Sequence, residues 1–372
     1  MNKKINFSER VMNIFAENET TADEVVGLMK DLYSGDLKPG VTKREAEESL
    51  REFSRQFFGV TKDSSRREIK KARREHEREF YDLLEEVYEF VVTTGVTENE
   101  WFSTLVNYET LSATDAKLYE VKDTDVVLSV AKMGKRQHDT ILQRLPGKKN
   151  FEIETDLYGL AVGADIDKYI VGQEDWSDLV NHVGKAILDL RQTLVMSALA
   201  GAVDKLPAKS QFVKTLAFTA ANRNVINTLL EDVSVANGNA PVVVMGTAVG
   251  LQNFENLVNV NWIADSQKEA VASMGHLGNY GPYQLIEIPQ RFVRNDVTRK
   301  VYDDDVLWVF AATGEDKLVE MIDVGEPVID EITERGEADG RLDDTMKYEL
   351  QLEIGCAARV GRYFGQITID ND

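Results

Sequence analysis

The sequence predicts an α+β fold organised around one long helix, and three features carry that reading. Between residues 173 and 201 apolar side chains recur at helical spacing: Trp176, Leu179, Val180, Val183, Ile187, Leu190, Leu194 and Ala198. The first 95 residues read as helical and separate from the rest, whereas from Val121 onward strand-like runs alternate with short helices. Glu174, Asp175 and Asp178 open the long helix, where negative charge suits the helix dipole, and Gly201 and Pro207 close it. At about 1.5 Å per residue it spans roughly 40 Å, the width of a domain. A helix of that length with a polar opposite face needs a broad, flat partner, which sets it along a sheet as a spine. On the helix alone, a long helix of an ordinary bundle is an equal reading.

The chain has 372 residues, enough for two domains or one elaborate one. Hydrophobic residues make up 43% and charged residues 29%, as in ordinary globular proteins. The formal net charge of −21 argues against a nucleic-acid-binding module but leaves open a container for nucleic acid, whose wall should not stick to its contents. The charge is uneven: residues 1–95 hold 17 Lys+Arg and 20 Asp+Glu, and the remaining 26 and 44 leave −18. The N-terminal residues lack the apolar core of a signal peptide, and no apolar run reads as a membrane span. The one cysteine, Cys356, sits in a strand-like run and is expected to be a buried, inert thiol.

Within the first 95 residues, and just beyond, the helix starts carry capping boxes: Thr42 with Glu45, Ser65 with Glu68, Thr97 with Glu100. The helix expected over 65–94 begins with a basic cluster, Arg66, Arg67, Lys70, Lys71, Arg73, Arg74 and Arg78, interleaved with glutamates. It ends in an apolar, aromatic foot that includes Phe80, Leu83, Leu84 and Val87. A charged stem with an apolar foot suggests an arm docked at one end; a solvated helix with i,i+4 ion pairs is the alternative for the stem. Residues 120–160 read as a long polar hairpin around the turn at 145–150, stable only against a partner. After the spine come a helix over 220–232, a buried strand over 241–246, a helix over 247–258, glycine turns leading into a strand over 274–292, and a buried strand over 306–312. The two strands are expected in one sheet beneath the two helices, and the chain closes in further strands.

Catalytic signatures are missing. Gly275, Gly278 and Gly281 have the wrong spacing for a dinucleotide fingerprint and fit turns. His76, His138, His182 and His276 are scattered without metal-ligand spacing. Asp303, Asp304 and Asp305 fit a solvated turn better than a cation loop.

The order of these elements, with GQEDWSDLV at 172–180, MGHLGNYGPYQLIEIP at 274–289 and the ending at 350–367, resembles the major capsid proteins of tailed bacteriophages, whose fold encapsulins share. The resemblance covers residues 101–369. It implies an N-terminal helical arm (1–95), a first peripheral-domain segment (96–119), an extended loop (120–160), a peripheral domain with the spine helix (161–205), an axial domain (206–315) and closing peripheral strands (316–372). It further implies a structural protein, not an enzyme, that self-assembles into hexamers and pentamers of an icosahedral shell. Partners would be further copies of itself, portal and scaffolding proteins, and packaged double-stranded DNA bound without sequence specificity. No cofactor, metal or membrane is implied; the place would be the virion capsid, assembled in the host cytoplasm. On this reading Trp176, Val183, Ile187, Leu190 and Leu194 face the peripheral sheet, and Phe80, Leu83, Leu84 and Val87 dock the arm. The basic cluster meets DNA, an acidic neighbour or solvent. Residues 120–160 pack on a neighbouring subunit, and deleting 1–95 is expected to leave the rest folded. An encapsulin-like nanocompartment shell and an α/β enzyme with an unfamiliar site are the competing readings.

Overall fold

The structure, a computed structural model, describes residues 22–34, 37–38, 40–97, 100–112, 119–121, 149–151, 153–164, 166–173, 175–206, 208–258, 271, 275–293, 296–312, 317–331, 346–359 and 362–370. In chain order its elements are α1 (Ala22–Ser34), α2 (Lys43–Phe58), α3 (Arg66–Thr97), α4 (Glu100–Leu105), β1 (Val106–Leu111), β2 (Tyr119–Val121), β3 (Lys149–Phe151), β4 (Thr155–Ala164), α5 (Ile166–Val171), α6 (Trp176–Val203), α7 (Lys209–Phe212), β5 (Val213–Leu216), α8 (Arg223–Ala236), β6 (Val242–Gly246), α9 (Ala248–Gln252), a 3-10 turn (Asn253–Leu257), β7 (Asn279–Tyr280), β8 (Tyr283–Glu287), β9 (Phe292–Val293), β10 (Asp296–Lys300), β11 (Val306–Ala311), β12 (Val319–Glu331), β13 (Met346–Ala358) and β14 (Phe364–Ile369).

The chain forms two compact units, each from three discontinuous segments: 1–98 with 155–192 and 323–355, and 99–154 with 193–322 and 356–372. In the first unit the capping boxes at Thr42 and Ser65 form as the sequence reading expects. Thr42 Oγ1 accepts from Glu45 N at 3.3 Å while the Glu45 carboxylate accepts from Thr42 N at 2.9 Å. Ser65 and Glu68 repeat the exchange at 3.4 and 2.8 Å. The foot of α3 packs on α2: the Phe80 ring lies 5.8 Å from Phe57 and 5.2 Å from Phe58. β4 pairs antiparallel with β13, Leu160 opposite Leu350 and Tyr158 opposite Leu352. Strand alternation turns Tyr348, Leu350, Leu352 and Ile354 into the core, where Tyr88 of α3 shares a hydrogen bond between hydroxyls with Tyr348. Gly184 on α6 lets two helices approach, because a Cβ there would lie 2.8 Å from Val91 and 2.9 Å from the Tyr33 hydroxyl.

The second unit is built on a six-stranded sheet in the order β5-β14-β11-β6-β8-β7. As expected, β6 and β11 are neighbours in it, antiparallel with Val244 opposite Val309, and α8 and α9 pack on them. β7 and β8 join through Gly281 and Pro282. Gly281 takes φ +60°, and proline supplies the fixed negative φ that must follow in such a tight hairpin turn.

Several expectations need correction. The N-terminal helices are not an arm set apart: α1, α2 and α3 belong to the same compact unit as the first half of α6 and most of β13. The apolar foot is covered by this chain's own residues, so deleting the segment would open that core. The hairpin expected over 120–160 ends earlier, because 155–160 belongs to β4 and pairs with β13; only its base is seen, with β2 and β3 paired as Tyr119 opposite Phe151. Residues 122–148, with His138, lie outside the described residues. The closing strands are not one group: β14 lies inside the six-stranded sheet, antiparallel to β11 and parallel to β5. The spine starts at Trp176, three residues later than read, and runs through Gly201 to Val203. The stretch Asp178–Val203 is also long and apolar enough to cross a membrane by length and composition, contrary to the sequence reading. Arg191 at its middle, paired in the core, is a contact of a core helix.

Candidate functional site

The long helix α6 is the natural place to look, since both units use it. Its buried side chains form a series, Val180, Val183, Ile187, Arg191, Val195, Leu199 and Val203, with Gln192 buried beside Arg191. After Val183 they follow every fourth residue, and four residues advance a helix about 40° beyond a full turn, so the buried face winds around the rod. Of the predicted core positions, Val183 and Ile187 lie on that face, while Leu190 and Leu194 flank it half-buried. Trp176 is the first residue of the helix.

Arg191 holds the position a straight stripe would give to a leucine. Its guanidinium pairs with Asp323 of β12, with 1% of the arginine side chain and 9% of the aspartate exposed. Sequence reasoning missed this residue because a lone arginine inside an apolar helix looks like a surface residue. The same holds for Glu320, fully buried in the second unit and held by Asn107 Nδ2 at 2.8 Å and Arg359 at 3.2 Å.

A second buried cluster fixes the approach to the spine. Arg51 and Arg55 of α2 cap the C-terminal carbonyls of α5: Arg51 Nε donates to Tyr169 O at 3.0 Å, and Arg55 Nε and Nη2 donate to Ile170 O at 3.1 and 2.9 Å. Cationic donors belong at a helix C-terminus, where the dipole is negative. Arg51 also reaches Asp175, just before α6, at 2.8 Å, and Glu48 at 2.7 Å. Burial alone would lower the Arg51 pKa; Glu48 and Asp175 outweigh it and hold the guanidinium charged.

Phe80, Leu83, Leu84 and Val87 are all buried. Of the basic cluster, Arg67 and Lys71 are exposed, and Lys71 lies 3.9 Å from Glu75 one turn on. Arg66, Lys70, Arg73, Arg74 and Arg78 follow on the same helix, their side chains outside the described set.

Other titratable groups are absorbed in structural contacts. Asp304 accepts from Thr247 Oγ1 and Gln290 Nε2, each at 2.8 Å, and pairs with Lys300. Burial pushes its carboxyl upward, but these donors prevail and hold it below the usual carboxylate range. His276 is buried, its Nδ1 2.8 Å from Leu277 O and its Nε2 3.5 Å from Glu287. His182, on the spine, is exposed. Cys356 is half-buried, and burial pushes its thiol up to about 12, where it is no nucleophile. Among the described residues no group of His, Cys, Asp or Glu is arranged to hold a metal ion. A cleft of about 460 Å³ in the second unit is lined by Met196 and Ala200 of α6, Thr247, Tyr302, Trp308 and others. Its polar lining includes Asp204, Lys209, Thr247 and Asp303.

The family model described as "SPbeta prophage-derived putative capsid protein YonB" matches residues 24–368. No curated protein matches the chain. Among solved structures, the chain is similar to a subunit of the bacteriophage PhiM1 mature capsid, with 13% identity over 72% of this chain and 86% of that one at a TM-score of 0.48. It is similar to the acidic stable capsid structure of Helicobacter pylori bacteriophage KHP30, with 10% identity over 73% and 92% at a TM-score of 0.45. It is also similar to a virus-like particle from Pyrococcus furiosus, with 11% identity over 74% and 96% at a TM-score of 0.39.

Proposed function

The chain belongs to the family of SPbeta prophage-derived capsid proteins, and from that membership we propose how it serves the virion. It is a major capsid protein, a structural subunit of a shell made of copies of itself. On our reading the shell is icosahedral, built from hexamers and pentamers, and encloses double-stranded DNA held without sequence specificity. Portal and scaffolding proteins take part in its assembly, which proceeds in the host cytoplasm. The subunit carries no enzymatic activity and needs no cofactor.

The single observation that carries this is the family match, which spans almost every described element from α1 to β14. Supporting it, the buried charges that might have served chemistry are engaged in joining helix to strand and helix to helix, as Arg191–Asp323 and the Arg51–Arg55 clamp do. Stiff joints of this kind suit a tile that must keep its shape under load. Within the tile we assign 206–315 to the axial domain and residues 120–154 to a loop that packs on a neighbour. The buried foot of α3 fixes the N-terminal helices to the body, and the basic stem faces the shell interior.

Electron microscopy of purified particles, combined with a nuclease-protection assay, tests the proposal. Megadalton shells that protect DNA are expected. Shells that enclose protein cargo instead would favour a nanocompartment, and a stable monomer or dimer under assembly conditions would refute the shell.

A further inference from the structure

Two exposed surfaces of this chain complement each other in charge and in apolar character. The first is the two-stranded ribbon β9–β10, in which Phe292 pairs with Lys300 and Val293 with Asp296. Phe292 is 55% and Val297 77% exposed, and Thr298, Arg299 and Lys300 are exposed beside them. An isolated pair of strands with apolar side chains in water is marginal without a partner. This one is nevertheless held at its base. Gln290 Nε2 donates to Tyr302 O and Asp304, both at 2.8 Å, while its Oε1 accepts from Arg291 N at 3.0 Å and Tyr302 N at 3.2 Å. A ribbon fixed in this way is ordered before it binds, which lowers the entropic cost of docking.

The ribbon is also basic in an acidic protein. Residues 291–300 hold four Lys+Arg and one Asp, leaving 39 Lys+Arg and 63 Asp+Glu in the rest of the chain. The one acid is engaged within the ribbon: Asp296 accepts from Thr298 N at 2.9 Å and from the Thr298 hydroxyl. Arg299 makes no ion pair among the described residues.

The second surface is the outer face of β4 and β13. β4 is the last strand of its sheet, and Leu157, Gly159, Ala161 and Gly163 all point to one side and are exposed, Leu157 at 67%. Opposite them on β13 stand Glu353, Gln351 and Glu349, paired with Leu157, Gly159 and Ala161 and half-buried. A Cβ at Gly159 would lie 2.3 Å from Glu349 Oε1, so the carboxylate rests over bare backbone. The result is a shallow apolar strip edged by carboxylates, whose reverse side is the buried core.

We propose that the β9–β10 ribbon of one subunit docks on the β4–β13 strip of a second copy of this chain. Phe292 and Val297 meet Leu157 and the small-residue strip, and Arg299 meets Glu349. Because the two surfaces differ, the contact is head-to-tail; it leaves a free ribbon and a free strip on every pair and so builds rings and arrays, not closed dimers. The inference rests on the shell reading and names one contact within it.

The test is a charge swap in the full chain, read by sedimentation and electron microscopy. Arg299→Glu and Glu349→Lys, each alone, should cut the yield of large particles by about tenfold or more under conditions where the wild type assembles. Their circular dichroism and thermal midpoint as free subunits should stay near wild type, since both side chains lie outside the core. Combining the two should restore assembly to within about threefold. Val297→Ser with Phe292→Ser, which changes no charge, should weaken assembly in the same way and keeps the ribbon testable if Arg299→Glu misfolds. Normal assembly of the single variants, or no recovery in the combination, overturns the contact. Normal shells that only lose DNA content in Arg299→Glu overturn it in favour of a ribbon that meets nucleic acid. A wild-type chain that never forms particles refutes the shell reading itself, and this contact with it.

Discussion

Replacing Asp323 with leucine removes the carboxylate against which the buried Arg191 guanidinium is held. Arg191 is 1% exposed and Asp323 6%, so neither group can turn to water without opening the joint between α6 and β12. Breaking one side of such a pair costs about 3–5 kcal/mol, most of it the charge left behind in a dry environment. Arg191→Met alone should cost a similar amount, for the mirror reason. The double variant, with two apolar side chains of comparable volume, loses both desolvation penalties and should lie within about 1 kcal/mol of wild type. The expected coupling, the sum of the single losses minus the loss in the double variant, is therefore at least about 5 kcal/mol. Urea unfolding of the unassembled subunit, followed by circular dichroism, measures all four corners of the cycle. Two mild single losses that simply add in the double variant would show that the pair is not held in the core, and would remove the joint from the account of the tile.

Ile187→Asp places a carboxylate on the buried face of α6, where the residue is 4% exposed, and should cost at least about 3 kcal/mol; soluble, well-assembled shells from that variant would contradict the assignment. Deleting residues 1–97 should yield a chain that fails to fold its first unit, seen as loss of the thermal transition and aggregation on purification, because that unit's core includes Phe80, Leu83, Leu84, Val87 and Tyr88. Asp304 carries a depressed pKa, so its contribution to stability is present above the ordinary carboxylate range and is lost as pH falls through its lowered folded value. Thermal midpoints measured from neutral pH downward should fall more gently in Asp304→Asn than in wild type.

The sequence makes visible what is periodic and local. The spine helix, the two capping boxes at Thr42 and Ser65, and the paired buried strands around Val244 and Val309 follow from spacing, side-chain chemistry and uninterrupted apolar runs. Partners distant along the chain are not visible in this way. Phe80 to Val87 form a clear apolar foot, but nothing in the stripe says whether it rests on another subunit or on α2 and β13 of the same chain. The position of β14 in the sheet of β6 and β11 is equally hidden, because Phe364 to Ile369 would read as a buried strand in either unit. Arg191 and Glu320 escape for a different reason: a buried charge is recognisable only once its counter-charge, more than a hundred residues away or on another strand, has been placed beside it. The sites most exposed to misreading are those where polar residues do the work of core residues.

The long separations have a consequence for when the subunit becomes competent to assemble. Tyr88 and Tyr348 are 260 residues apart, and Glu85 accepts from Ile329 N across 244. Closing a loop of that length costs about 5 kcal/mol of chain entropy, roughly twice the cost for a loop of sixteen residues. The N-terminal helices therefore lack part of their stabilising core until β13 has been made and paired. A chain ending at residue 345 retains every helix of the first unit but loses Tyr348, Leu350, Leu352 and Ile354 from its core. In that truncated chain residues 22–97 should be cut rapidly by a non-specific protease, whereas the full-length subunit should protect them. The rings explain the dependence: Tyr81 lies 5.7 Å from the Tyr348 ring, and burial drives both Tyr88 and Tyr348 to high pKa, Tyr348 to about 12, so both stay neutral in this shared core. Protection of a 22–97 fragment in the truncated chain would show that the helices fold without β13, and would make the long-range contacts a late addition to a core already closed.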